Sequence, residues 1–137
     1  DSSLMFPVSG AVIVTTPQDF ALIDAQKGLA MFEKVNIPIL GIVENMSIHI
    51  CSKCNHAEEI LGHGGGKQMA TNSDTNFLGA LPLKLDIRTD VDEGTPSVAK
   101  DPESQVSGMY QEIARRVAGT LSLKNESVGA FPKITIE

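Results

Sequence analysis

Cys51-Ser52-Lys53-Cys54 is the segment whose residue types and spacing say most about chemistry. Soft thiolates select zinc, copper(I) or iron–sulfur clusters, and a C-x-x-C spacing lets both sulfurs face one metal centre. One such pair supplies two ligands, whereas a tetrahedral zinc or a cubane cluster takes four. The sequence leaves three completions open: His56 and His63 from the same segment, a redox disulfide with no metal, or the same pair from a two-fold-related chain. A redox dithiol wants its first cysteine at a helix N-terminus, where the dipole lowers the thiol pKa. Here 45–54 reads as irregular chain instead. Two incidental thiols in an ordered loop are the bland alternative. These are the only two cysteines, too few for a disulfide framework.

Gly62-His63-Gly64-Gly65-Gly66-Lys67 resembles a phosphate loop at first sight and fails the test for one. G-x-x-x-x-G-K-[ST] needs a glycine where Leu61 stands and a hydroxyl where Gln68 stands. An esterase oxyanion loop fails too, because the chain has no G-x-S-x-G elbow. The glycines are read as a tight entry into a helix, and His49, His56 and His63 as loop or surface residues. Asn45 stands just past a strand end, where open α/β sheets place ligands. A carboxamide there can donate and accept, which suits a purine edge; it can equally cap the strand.

The elements that must position these residues follow from hydrophobic patterning. Gly10-Ala11-Val12-Ile13-Val14-Thr15 is a β-branched run without alternation, the mark of a strand buried on both faces. Thr16-Pro17-Gln18-Asp19 reads as a capping box, with Thr16 at N-cap and Asp19 at N3. Leu22, Ala25, Leu29 and Phe32 then share one helical face, and the helix is expected to end near Lys34. Pro38-Ile39-Leu40-Gly41-Ile42-Val43-Glu44 is a second buried strand, which makes a right-handed βαβ unit with a parallel pair. A polar Cys- and Gly-containing stretch covers 45–66. A short helix over 67–72, a strand over 77–81 and a short helix over 85–93 follow. Asp101-Pro102 is expected to open the last helix, whose core face carries Val106, Met109, Tyr110, Ile113, Val117 and Leu121. After Lys124 the pattern fails, and 125–137 is expected to be a mobile tail. The fold class is α/β, a mostly parallel sheet flanked by helices.

Composition narrows the partners. The 137 residues suit one domain with a single core, and 42% hydrophobic with 20% charged is an ordinary globular balance. A net charge of −6 with no basic cluster beyond Arg115-Arg116 argues against nucleic acid. No apolar run approaches the ~18 residues that span a bilayer, so no membrane is expected. The start, Asp1-Ser2-Ser3-Leu4-Met5-Phe6, shows no secretory signal, and its lack of an initiator Met points to a piece of a longer protein. Free thiols fit a cytoplasmic location, with an organellar matrix as the alternative.

From Thr15-Thr16-Pro17-Gln18-Asp19-Phe20-Ala21-Leu22-Ile23-Asp24-Ala25 onward the chain resembles the Mrp/ApbC-like P-loop ATPases, which carry and transfer iron–sulfur clusters. The likeness continues through Gly41-Ile42-Val43-Glu44-Asn45-Met46-Ser47, Cys51-x-x-Cys54, Gly62-His63-Gly64-Gly65-Gly66 and Phe77-Leu78-Gly79-x-Leu81-Pro82-Leu83, then Asp86-x-Arg88 and Gly94-x-Pro96. It spans roughly residues 8–120, in order and spacing. The resemblance implies that Cys51 and Cys54 are cluster ligands, with a [4Fe–4S] cluster bridging the two subunits of a homodimer. It implies that Asn45 recognises adenine, that Pro82 and Leu83 lie against the base, and that Asp24 lies near a nucleotide-dependent subunit interface. Apo iron–sulfur proteins are the implied recipients. In this family the P-loop, the Mg²⁺-binding hydroxyl and the switch aspartates precede the strand that begins near Gly10. Residues 1–124 thus resemble the C-terminal half of a SIMIBI-type P-loop domain, with 45–66 as its cluster loop. ATP, Mg²⁺ and ATPase activity are implied for the full-length protein. Two rivals stand beside this reading. One is a zinc-binding interaction module built on Cys51, Cys54 and the histidines. The other is a Min-type partitioning ATPase, a class that lacks this cysteine pair.

Overall fold

The computed structural model of the protein describes residues 7–128. Its elements run β1 (Ala11–Thr15), α1 (Asp19–Lys34), β2 (Ile39–Glu44), β3 (His49–Ile50), β4 (Ala57–Glu58), α2 (Gly65–Asn72), β5 (Phe77–Ala80), β6 (Leu83–Lys84), α3 (Leu85–Asp92), α4 (Ser97–Lys100) and α5 (Gln105–Val128). Strands β1, β2 and β5 form a parallel sheet with β2 in the middle. A second, small sheet places β3 between β4, antiparallel, and β6, parallel.

Both faces of the parallel sheet are covered, which is why its strands read as unbroken apolar runs. Ile13 and Ile42 project to one face, where they pack with Ala25 and Leu29 of α1 and Met69 and Ala70 of α2. Val43 and Leu78 project to the other and meet Met109, Tyr110, Ile113 and Val117 of α5. The expected core stripes of the first and last helices are thus the ones used. Among the described residues no helix is long and apolar enough to cross a membrane.

The middle strand tolerates no side chain at Gly41. A Cβ there would stand 2.5 Å from Leu78 Cγ and 2.7 Å from the backbone oxygen of Asn76, a group that cannot swing away. Overpacking of this kind costs roughly 3 kcal/mol. Gly41→Ala in the full-length protein should therefore lower the urea midpoint clearly while Gly108→Ala, which meets open space, should not.

Four local expectations are corrected. The capping box does not form: α1 starts at Asp19 with Gln18 as N-cap and no side-chain cap, while Thr15 Oγ1 donates to the Thr16 carbonyl and Thr16 Oγ1 faces Gln18 Oε1. Residues 45–54 are not irregular throughout, since β3 lies within them and pairs with β4 in a short hairpin. The last helix opens at Gln105, capped by Ser104, whose Oγ accepts the Ser107 N–H at 3.1 Å; 101–104 is a turn. That helix also continues past Lys124 to Val128, so the expected tail boundary is too early; 129–137 lie outside the described residues.

One ion pair ties α3 to α4. Asp90, buried, accepts from Lys100 Nζ at 2.6 Å and Ser97 Oγ at 2.8 Å. Those bonds hold the Asp90 carboxyl below its ordinary value, and the Asp90 carboxylate raises Lys100. The pair stabilises the fold at neutral pH and is lost only as pH falls through the depressed Asp90 value or rises through the raised Lys100 value.

Candidate functional site

The cysteines lie on the turn that joins β3 to β4. Cys51 N–H donates to the His56 carbonyl and Asn55 N–H donates to the Cys51 carbonyl, each at 2.9 Å, which closes the turn at its base. Asn55 adopts φ 58°, the left-handed conformation that asparagine tolerates best among non-glycine residues. Cys51 is half-buried and Cys54 exposed, both as free thiols. The nearby backbone N–H of Cys54 leads the groups that favour a Cys51 thiolate, followed by the Lys53 N–H and the Cys54 thiol. Together these hold the Cys51 thiol below its ordinary value against burial and the Glu58 carboxylate. A sulfur whose thiolate is favoured in this way is prepared to carry the negative charge that a soft metal needs.

The histidines do not complete the ligand set within one chain. Among the described residues no group of three or more His, Cys, Asp and Glu side chains is placed to hold a metal ion. His63 turns its Nδ1 to the Glu59 carboxylate, and His56 sits exposed at the end of the turn. His49 Nδ1 is buried without a hydrogen-bond partner, with the Glu58 carboxylate 3.6 Å away. The chain therefore presents two free thiols on one short hairpin turn, without a third ligand among the described residues.

Asn45 and the Pro82-Leu83 segment lie just past the carboxyl ends of the neighbouring strands β2 and β5. Asn45 N–H donates to the Thr15 carbonyl at 2.7 Å, Ser47 N–H to the Leu81 carbonyl at 2.9 Å, and Leu83 N–H to the Ile48 carbonyl at 2.8 Å. The Pro82-Leu83 segment thus runs beside the chain that leaves Asn45. The Asn45 Oδ1 accepts the Met46 N–H at 2.9 Å, and its Nδ2 has no acceptor among the described residues. Asn45 also closes one end of a groove between β1 and α1 that Thr15, Ala21 and Asp24 line. Leu83 pairs in register with His49, two residues before Cys51, so the Leu83–Lys84 strand and the cysteine hairpin share one small sheet.

The glycine stretch is not a phosphate loop. Gly65 and Gly66 open α2, and the Gly66 N–H already donates to the Glu44 carboxylate at 2.6 Å. Sequence reasoning passed over Glu44 because a charged residue at the end of a buried strand looks like a simple terminator. Its 2% exposure marks it as something else.

The family model described as ParA, NUBPL iron-transfer P-loop NTPase, matches residues 2–118. The iron-sulfur cluster carrier protein of Salmonella typhimurium is 55% identical over 122 residues, 89% of this chain and 33% of that protein. The iron-sulfur cluster transfer protein NUBPL of Mus musculus is 48% identical over 120 residues, 88% of this chain and 38% of that protein. The chain spans about a third of the length of these relatives. Among solved structures, a nucleotide-binding protein of Archaeoglobus fulgidus in complex with ADP superposes with TM-score 0.57 at 30% identity, over 70% of this chain and 38% of that one. The septum site-determining protein MinD of Pyrococcus horikoshii, complexed with Mg-ADP, gives TM-score 0.65 at 23% identity, over 85% of this chain and 44% of that one, a likeness of fold alone. The chain belongs to the NUBPL iron-transfer P-loop NTPase family.

Proposed function

We propose that the full-length protein carries an iron–sulfur cluster and delivers it to apo iron–sulfur proteins. The carrying observation is the Cys51–Cys54 turn, two thiols on an exposed hairpin tip with no third ligand among the described residues. Two such turns across a two-fold axis supply four thiolates, the set a [4Fe–4S] cluster takes. An exposed cluster at a dimer seam is also one a recipient's thiolates can reach, as ligand exchange requires. The named activity of relatives 55% and 48% identical supports the same reading. The zinc-module rival is not favoured, because no histidine joins the two cysteines as a third ligand among the described residues and His63 faces the Glu59 carboxylate. Cytoplasm or an organellar matrix, where thiols stay reduced, is the compartment this chemistry fits. Iron and acid-labile sulfide analysis after anaerobic purification, with mass measurement of the loaded species, tests the proposal. A loaded monomer, or zinc in place of iron and sulfide, would overturn it.

On the nucleotide side, Asn45 offers its Nδ2 donor to adenine, with Pro82 and Leu83 as the adjoining wall. Guanine reverses the donor and acceptor pattern at the edge in question. Asn45→Ala in the full-length protein should reduce the preference for ATP over GTP by roughly tenfold, the worth of one or two hydrogen bonds. Competition binding with the two nucleotides reads this directly, and an unchanged ratio would reject the assignment.

A further inference from the structure

At the base of the cysteine loop lies a buried acid that neither cluster ligation nor adenine recognition uses. Glu44 ends β2 and is 2% exposed. Its two carboxylate oxygens serve different segments: Oε1 accepts from Ser47 Oγ at 2.7 Å and Oε2 accepts from Gly66 N–H at 2.6 Å. Ser47 lies where the chain leaves the sheet toward the cysteine hairpin, and Gly66 lies where it returns into α2. One carboxylate therefore pinches the neck of the loop that presents Cys51 and Cys54.

Physical chemistry favours this arrangement over an accidental burial. An ionised carboxylate is costly to bury unless its oxygens are hydrogen-bonded, and both are. The N-cap of α2 is Gly64 at φ 63°, which carries no side chain, so the helix has no cap of its own. Glu44 supplies that anion from another element, where the helix dipole favours it. The approach also dictates the glycine. A Cβ on Gly66 would stand 3.0 Å from both Cβ and Oε2 of Glu44. Helix capping alone accounts for the Gly66 arm but not for the second arm to Ser47, two residues beyond Asn45.

We propose that Glu44 is a positioning residue that closes the neck of the cysteine loop and steadies Asn45 in the same clasp. Cluster retention and adenine recognition then both depend on one carboxylate. The first half of this rests on the cluster-carrier reading; the second does not.

The test uses the full-length protein with Glu44→Ala, Glu44→Gln and Ser47→Ala. Three readouts apply: the rate of cluster loss to a ferrous-iron chelator, the ATP-over-GTP preference, and amide hydrogen exchange across 48–64. Glu44→Ala should speed cluster loss and weaken the nucleotide preference about tenfold each, with faster exchange in the loop. Ser47→Ala removes one arm and should produce a smaller change in the same direction. Glu44→Gln should behave nearly as wild type, because its amide oxygen can accept from Gly66 N–H while its amide nitrogen donates to Ser47 Oγ. Wild-type chelation rate and nucleotide preference in Glu44→Ala would overturn the proposal. So would a Gln variant as impaired as the Ala variant. Should Glu44→Ala fail to fold, the contrast between Ser47→Ala and Glu44→Gln decides. Were the wild-type protein to hold no cluster, the carrier reading would fall, and loop exchange with nucleotide preference would still judge Glu44.

Discussion

Replacing either Cys51 or Cys54 by Ala in the full-length protein is expected to abolish cluster binding, not merely weaken it. The reason is symmetry. In a cluster shared by two copies, one substitution removes two of four thiolates, and the half-ligated cluster is open to solvent and oxidant. Neither cysteine has a substitute nearby, since no group of three or more potential ligands is assembled among the described residues. Iron and sulfide per dimer should drop by at least about tenfold after reconstitution, in both single variants alike. The fold should survive. The turn is an exposed hairpin tip, and surface substitutions away from packed features change stability by about 0.5 kcal/mol or less. Reconstitution assayed beside thermal unfolding separates the two causes of loss. Single variants that keep a full cluster would show that the ligands lie elsewhere, and a variant that loses the cluster together with its fold would show that the turn is structural.

The central βαβ unit was legible in the sequence because every force acting on it is local or periodic. Val12, Ile13, Ile42 and Val43 face both covered sides of the sheet, so the strands read as apolar runs, and Leu22, Ala25, Leu29 and Phe32 recur at helical spacing. The cysteine pair was equally legible, since C-x-x-C carries its meaning in spacing. What the sequence concealed is non-local. Strands β3 and β6 are two residues each and exist because His49 and Ile50 pair with Leu83 and Lys84, far along the chain. No periodicity can announce a strand of that length. Glu44 was missed for the same reason: its meaning lies in Gly66, 22 residues away, and in a burial that only the packed α2 creates. The capping box failed through competition of another sort. Thr15 and Thr16 hydroxyls found partners in their own turn, and the helix began two residues later than the Thr-Pro signal implied. Ser104 displaced Asp101 as a cap because its Oγ joins a knot around the fully buried Ser107, whose own hydroxyl donates to the carbonyls of Ser97 and Asp101.

This 137-residue chain, expressed alone, is expected neither to hydrolyse ATP nor to bind it tightly. Affinity for a nucleoside triphosphate comes largely from backbone N–H groups around the phosphates, a Lys on the β and γ oxygens, and Mg²⁺ held by a Ser or Thr. The glycine stretch that most resembles such a cradle is already committed to an anion. Gly66 N–H donates to the Glu44 carboxylate, so a phosphate approaching the N-terminus of α2 would meet a negative charge where it needs a donor. The residue after Lys67 is Gln68, whose amide donates to Asn72 Oδ1 and offers no hydroxyl to a metal ion. What remains is the edge formed by Asn45, Pro82 and Leu83, a few hydrogen bonds and some apolar contact. That is too little to offset the loss of ligand freedom, and dissociation constants weaker than about 1 mM follow. Isothermal titration with Mg-ATP should show no saturable heat, and a phosphate-release assay should show no turnover above buffer. The full-length protein, assayed in parallel, should bind. Micromolar affinity in the isolated chain, or turnover that survives Cys51→Ala, would mean that a phosphate site exists among these residues, and the Glu44–Gly66 contact would be the first place to look for it.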